Sequence, residues 1–273
     1  MLTQAEKGRA FRALHGRESA FIIPNPWDVG TARLLAHLGF EALATTSAGY
    51  AFSVGRQDSS IHREETLAHV AAIVSATDLP VSADLENGFG DSPEIVAETI
   101  RLAGAAGVAG GSIEDRSREF GHPIYAHEHA VERVRAAAEV VRDLPFPFTL
   151  TARAENYLVG RPDLKDTIKR LQAYKDAGAD VLYAPGLTSK DEIIAVVSSV
   201  DRPVNVLMGL QGVQLSLRVL SEIGVRRVSI GSALSRAALG AFLRGAREMR
   251  EHGTFAFAEE AVSYRDINAI FES

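Results

Sequence analysis

The sequence predicts an α/β fold, a (β/α)8 barrel, and two observations carry the prediction. Short runs rich in Val, Ile, Leu and Ala, bounded by Gly or Pro, alternate with longer amphipathic stretches along almost the whole chain. The strand-like runs number eight. Regular alternation implies a parallel sheet, because a parallel crossover needs an intervening helix, and eight units close a barrel. The length agrees. A chain of 273 residues, 46% hydrophobic and 23% charged, matches one large domain of this kind better than two average ones, so residues 1–273 are read as a single barrel domain.

The first two strands are read at 21–25, an apolar run meeting Pro24, and at 42–47. The third and fourth, 81–86 and 107–114, both run into acidic residues, and the fifth, 148–153, ends on Arg153. The last three lie at 180–185, 203–208 and 227–232. Between them, 63–76, 94–106, 129–142, 164–177, 190–199 and 213–223 carry helical spacing, several stopping at a glycine suited to a C-terminal cap. A doubly wound open sheet is the competing fold, but it advertises a Gly-rich phosphate turn after an early strand. The pair Gly88 and Gly90 lacks the third glycine and comes too late in its unit. After the eighth strand, 233–252 reads as a helix, and 255–271 places Phe257, Ala261, Tyr264 and Ile267 at helical spacing. A barrel needs one helix there, so 233–273 is a C-terminal helical extension.

Composition narrows the function. The net charge of -6 and scattered Lys and Arg lack the electrostatic footprint of a nucleic-acid binder. No cysteine occurs, which removes disulfides, thiolate nucleophiles and sulfur-ligated metals together. The polar start and the absence of a long apolar run point away from a membrane and toward the cytoplasm.

Chemistry gathers at the strand ends. In an extended strand, positions two apart share a face, so Asp84 and Glu86 are expected to point together, with Glu114 ending the next strand. Hard divalent cations such as Mg2+ take oxygen ligands, often one or two carboxylates with water and substrate filling the rest. The competing reading makes these acids ion-pair partners of Arg116 and Arg153. In a barrel the catalytic face is built from strand C-termini and the loops after them, and here those ends are Asn25, Thr46, Ser47, Asp84, Glu86, Glu114, Arg153, Asn205 and Ser232.

The stretches Pro24-Asn-Pro-Trp-Asp28, Ala44-Thr-Thr-Ser-Ala-Gly49, Gly55-Arg-Gln-Asp58, Ala83-Asp-Leu-Glu-Asn-Gly-Phe-Gly-Asp91, Ser112-Ile-Glu-Asp115, Thr151-Ala-Arg153, Pro203-Val-Asn-Val206 and Arg227-Val-Ser-Ile-Gly231 occur in this order. With them the chain resembles the isocitrate lyase and phosphoenolpyruvate mutase superfamily, in its short bacterial members. The resemblance implies Mg2+, with Mn2+ as the alternative ion, held by Asp84, Glu86 and Glu114, partly through water. It implies a lyase acting on a small 2-oxo or 2-hydroxy di- or tricarboxylate through a metal-stabilised enolate. Thr46, Ser47 and Ala48 would receive the substrate carboxylate, Arg153 and Asn205 would bind substrate, and Asp58 would contact a metal water or the reacting group. It also implies a C-terminal extension exchanged between subunits of a dimer or tetramer.

Departures from the family matter as much. The lyases carry a loop with an acid-base cysteine, and here the equivalent residues 116–127 keep Gly121 and His122 but no thiol. His122 and Tyr125 are the proton carriers this loop offers, against the plainer reading that one caps a turn and the other packs on the rim. The mutase's longer gating loop is not recognisable, so phosphorus-carbon chemistry and non-catalytic 2-oxo acid binding stand as alternatives. Residues 111–125 are expected to include a lid hinged at Gly121. Glu155 stands where the family commonly has Asp, which leaves the support of Arg153 open.

Overall fold

The computed structural model describes residues 2–117, 119, 121–210 and 213–272. Eight parallel strands, β1 (Phe21–Ile23), β2 (Leu43–Ala44), β3 (Val81–Asp84), β4 (Gly110–Glu114), β5 (Thr149–Arg153), β6 (Val181–Tyr183), β7 (Val204–Leu207) and β8 (Arg227–Ser229), form one sheet in the order β1-β8-β7-β6-β5-β4-β3-β2. The sheet curls into a nearly closed barrel. At the seam between β1 and β2, Ala44 N–H donates to Pro24 O at 3.0 Å. Asn25 fastens the same seam: its Nδ2 donates to Thr45 O, while its Oδ1 accepts from the amides of Ile230 and Gly231, each at 3.0 Å. One buried side chain thus ties the ends of β1, β2 and β8 together, and it does so at the rim where a site is expected.

The helices are α1 (Gln4–His15), α2 (Val29–His37), α3 (Ser47–Ser53), α4 (Arg63–Ser75), α5 (Pro93–Ala105), α6 (His127–Asp143), α7 (Leu164–Asp176), α8 (Lys190–Ser199), α9 (Leu217–Glu222), α10 (Ala233–His252) and α11 (Tyr264–Glu272). α5 shows why such segments fold: Ser92 caps it, Pro93 opens it, and Val96, Thr99, Ile100, Ala103 and Gly104 make a stripe buried against the sheet. α1 covers the N-terminal end of the barrel. Its Phe11 packs with Phe21, Ile23, Ala42 and Ala109, and Gly8 is required there, because a Cβ on it would lie 2.1 Å from Pro147 O.

Several sequence expectations are corrected. The second strand stops at Ala44 rather than Ser47, because Thr46 Oγ1 accepts from Gly49 N–H and starts α3. The helix expected from Val213 starts at Leu217, capped by Ser216. Residues 255–271 are not one helix but a 3₁₀ turn, Ala256–Glu260, followed by α11. No residue of α11 is buried. It touches α2 through Arg33, whose Nη2 donates to Phe271 O at 2.6 Å and whose guanidinium lies 5.3 Å from the Phe271 ring centroid. No helix among the described residues is long and apolar enough to cross a membrane.

Candidate active site

The C-terminal strand ends surround a cavity of about 200 Å³ that reaches from Ser47, Asp58, Asp84 and Arg153 down to Asn205, Arg227 and Ser229. This is below the several hundred Å³ typical of sites for drug-sized ligands, so it suits a small substrate. Arg153 ends β5 opposite Glu114 of β4. Its Nε donates to Glu155 Oε1 at 2.9 Å, its Nη1 to Asp84 Oδ1 at 3.1 Å and its Nη2 to Glu114 Oε2 at 3.1 Å. The side chains of Arg153, Asp84 and Glu114 are only 13%, 16% and 9% exposed, so water screens these charges weakly.

Titration follows from that crowding. Burial, then the neighbouring Glu155, Asp84 and Glu86, raise the Glu114 carboxyl well above its ordinary value of 4.5, against the pull of Arg153. Burial also raises Glu155. For Arg153, burial alone would lower the guanidinium, but Glu155, Glu114 and Asp84 together hold it well above its ordinary value. Three carboxylates therefore surround one cation, with Glu86 adding its charge beside Glu114, and the cluster carries excess negative charge when all are ionised.

Glu86 corrects the alternation on which its selection rested. β3 ends at Asp84, and Glu86 adopts φ 48°, in the left-handed region. The turn is held from outside the barrel: Arg133 of α6 donates to Asn87 O and, at 2.7 Å, to Gly90 O, while Asn87 Nδ2 donates to Tyr125 Oη at 3.0 Å. Glu86 and Glu114 consequently share the wall of an adjoining cavity with Arg116, on the other side of Leu158 from the first. They stay close through the backbone, Glu114 N–H donating to Glu86 O at 2.9 Å.

Ser47 N–H donates to Asp84 Oδ2 at 3.1 Å, and Ser47 Oγ donates to Asp58 Oδ1 at 3.2 Å. Thr46, Ser47, Ala48 and Asp58 all line the first cavity, though the Thr46 hydroxyl is occupied as the cap of α3. Asn205 lines it too, fixed in a buried network: Nδ2 donates to Ser229 Oγ and Oδ1 accepts from Arg227 Nε, both at 2.9 Å. His122 is not brought to this group. It is exposed and lines neither cavity. Tyr125 is buried, its hydroxyl donating to Asp91 Oδ1 at 2.5 Å and its ring 4.2 Å from the Arg133 guanidinium.

Of residues 111–125, expected to include a lid, 111–114 belong to β4. Its base is tied by Ser117 N–H to Pro123 O at 3.0 Å and Tyr125 N–H to Asp115 O at 2.9 Å. Arg118 and Phe120 of that loop lie outside the described residues.

A family profile described as phosphoenolpyruvate phosphomutase matches residues 11–250. The chain belongs to this family. It is an enzyme of the isocitrate lyase and phosphoenolpyruvate mutase type. It is similar to a solved protein of Burkholderia cenocepacia J2315 assigned only broadly as a lyase/mutase, with a TM-score of 0.97, 66% identity, and 99% and 97% of the two chains covered. An uncharacterised protein of Mycobacterium tuberculosis is 34% identical over 248 residues, 89% of each chain. The 2-methylisocitrate lyase of Salmonella typhimurium is 32% identical over 189 residues, 66% of this chain and 63% of that one.

Against the family, the residues present fit a hard divalent cation. The donors are all oxygen, and a doubly charged ion answers the surplus of four carboxylates over one guanidinium. Among the described residues no three His, Asp or Glu side chains form a ready-made cage. Glu155, Tyr183 and Arg227 are site residues that sequence reasoning passed over or left open. Tyr183 closes a three-residue apolar strand, and Arg227 is read only as the first residue of the last one.

Because Glu114 holds its proton to higher pH folded than unfolded, folding takes up a proton. Stability of the metal-free protein should therefore fall as pH rises above 4.5 toward the folded value. Urea unfolding across this range should show that slope, reduced in Glu114→Gln and reduced by saturating Mg2+. A pH-independent stability, or an undiminished slope in the variant, would contradict it.

Proposed function

We propose that the protein is a Mg2+-dependent lyase that breaks a bond alpha to a carbonyl in a small 2-oxo or 2-hydroxy di- or tricarboxylate. The observation that carries this is the buried carboxylate cluster around Arg153 at the mouth of a cavity of about 200 Å³. Asp84, Glu86 and Glu114 would hold Mg2+, or Mn2+, in part through water. The ion's chemistry when bound is that of a Lewis acid, withdrawing charge from an oxygen that turns negative as the bond breaks.

The remaining work falls to the chain's own groups. Arg153 has five N–H donors and gives three to carboxylates, so two remain for a substrate carboxylate beside Ala48 at the start of α3. Leu158, Leu207, Leu210 and Ile230 line the cavity and exclude water from a carbanion that must not be protonated early. Asp58, which lines the cavity where His122 does not, is the proton carrier in this reading. Phosphorus-carbon chemistry is the second reading, favoured by the description of the matching family profile.

The protein is also proposed to be a homo-oligomer, a dimer or a tetramer. Leu239, Phe242 and Leu243 form an apolar face on α10, with Phe242 71% exposed. Light scattering should report more than one subunit, and Phe242→Asp should reduce the number; a monomeric wild-type protein would contradict this.

Small oxo and hydroxy acids incubated with Mg2+ should yield pyruvate or CO2 from at least one di- or tricarboxylate, with phosphonopyruvate as the competing substrate. Asp84→Ala should remove both turnover and Mg2+-induced thermal stabilisation. Arg153→Lys, which keeps charge but loses the planar fork, should lower kcat/KM by roughly a hundredfold, about 2.7 kcal/mol. Turnover indifferent to chelation, or unchanged kinetics in Arg153→Lys, would refute the assignment.

A further inference from the structure

The floor of the cavity holds a second guanidinium. Arg227 opens β8 and is 4% exposed. Its Nε donates to Asn205 Oδ1 at 2.9 Å, its Nη2 to Thr151 Oγ1 at 3.1 Å, and its Nη1 lies 3.4 Å from His15 Nε2. The first two partners are an amide and a hydroxyl. The third is a neutral ring: His15 Nδ1 is 2.8 Å from Phe11 O, a carbonyl that only accepts, so Nδ1 carries the hydrogen and Nε2 offers a lone pair to Arg227. Burial first, and the adjacent Arg227 second, hold this imidazole down at about 3.

Among the described residues, no carboxylate lies within ion-pair distance of Arg227. Burying a charge without a countercharge is costly, and a protein keeps such a group where something else answers it. Three of the five N–H donors are engaged, so two are left. Arg227 also lines the open cavity, together with Ser82, Ser112, Ser229 and Tyr183.

We propose that Arg227 forms an anion subsite at the cavity floor that takes the distal carboxylate of a short dicarboxylate whose 2-oxo or 2-hydroxy acid head lies at the mouth. The head-group assignment rests on the lyase reading; the floor site rests on Arg227 alone. Depth supports the pairing. Arg227 bonds Thr151, and Arg153 stands two residues further along β5 on the same face, about 7 Å up the strand. The cavity is thus anionic with one cation at its mouth and cationic at its floor. Tyr183 spans the two, its ring centroid 5.2 Å from the Arg153 guanidinium and its hydroxyl accepting from Ser229 Oγ at 3.5 Å. A substrate ending in a methyl group leaves the floor charge unanswered, and that difference is the specificity.

Malate and 2-hydroxybutyrate share a three-carbon 2-hydroxy acid head and differ only at the fourth carbon, a carboxylate in one and a methyl in the other, so calorimetric titration of both with Mg2+ present isolates the floor. The wild type should prefer malate by about tenfold or more, equivalent to about 1.4 kcal/mol. Arg227→Gln, which keeps a donor for Asn205, should reduce the preference to about twofold or less while 2-hydroxybutyrate binds as before. Equal affinities in the wild type, or a preference that survives in Arg227→Gln, overturn the proposal. Should that variant not fold, Arg227→Met removes the charge at similar length and keeps the floor filled, and an undiminished preference in it overturns the proposal equally. Formate without Mg2+ separates this inference from the lyase reading. A saturable rise in the thermal midpoint of the wild type that Arg227→Gln lacks supports the floor site even if neither hydroxy acid binds, a result that would count against the lyase reading alone. No Arg227-dependent formate response overturns the floor site while leaving that reading intact.

Discussion

One guanidinium holding three carboxylates organises the catalytic rim. Arg153 links the ends of β3 and β4 to its own strand and to Glu155 just beyond it, so the geometry of the mouth is set by a single planar fork. Ion pairs shielded from water cost desolvation that their attraction only partly returns. Here the return is further divided, since three acids compete for one cation and two of them, Glu114 and Glu155, are pushed toward their protonated forms. The arrangement is poor as a purely structural device. A bound cation, as proposed above, would complete its charge.

The scaffold places this cluster at little structural risk. Asp115, next to Glu114, is buried and accepts from Arg170, Tyr174 and the Glu155 amide, which fixes Glu155 against Arg153. On the far side, Ser47 at the start of α3 reaches Asp84 through its amide and Asp58 through its hydroxyl. Deeper in, α1 contributes His15 to the cavity floor, so the helix that covers the N-terminal end of the barrel also fixes Arg227. Floor and mouth are therefore positioned by opposite ends of the barrel, joined through Asn205 and Tyr183.

Much of this was legible in the sequence because it follows from periodicity. All eight strands were read, since each is a short apolar run between Gly or Pro signals, and Asp84, Glu114 and Arg153 were singled out because they end such runs. The failures have particular causes. α1, α2 and α3 were passed over although Thr3 with Glu6, Asp28 with Thr31, and Thr46 with Gly49 make capping contacts; a single cap is a weak signal in a sequence. Glu86 was selected for the face it would present in a strand, yet the backbone turns left-handed there under tertiary contacts from α6. His122 was chosen for its proximity in sequence to the acids, and a loop tied at its base leaves it exposed. Arg227 was read only as the first residue of the last strand, because nothing in a linear pattern shows that a strand's first residue points into the barrel.

The central claim is that the carboxylates around Arg153 form a divalent-cation site, and diffraction from crystals soaked with Mn2+ and oxalate tests it most directly. An anomalous peak beside Asp84, with Glu86 and Glu114 turned toward it and oxalate between the ion and the start of α3, is the result expected. No peak at saturating Mn2+, with Arg153 still paired to all three carboxylates, would contradict the account.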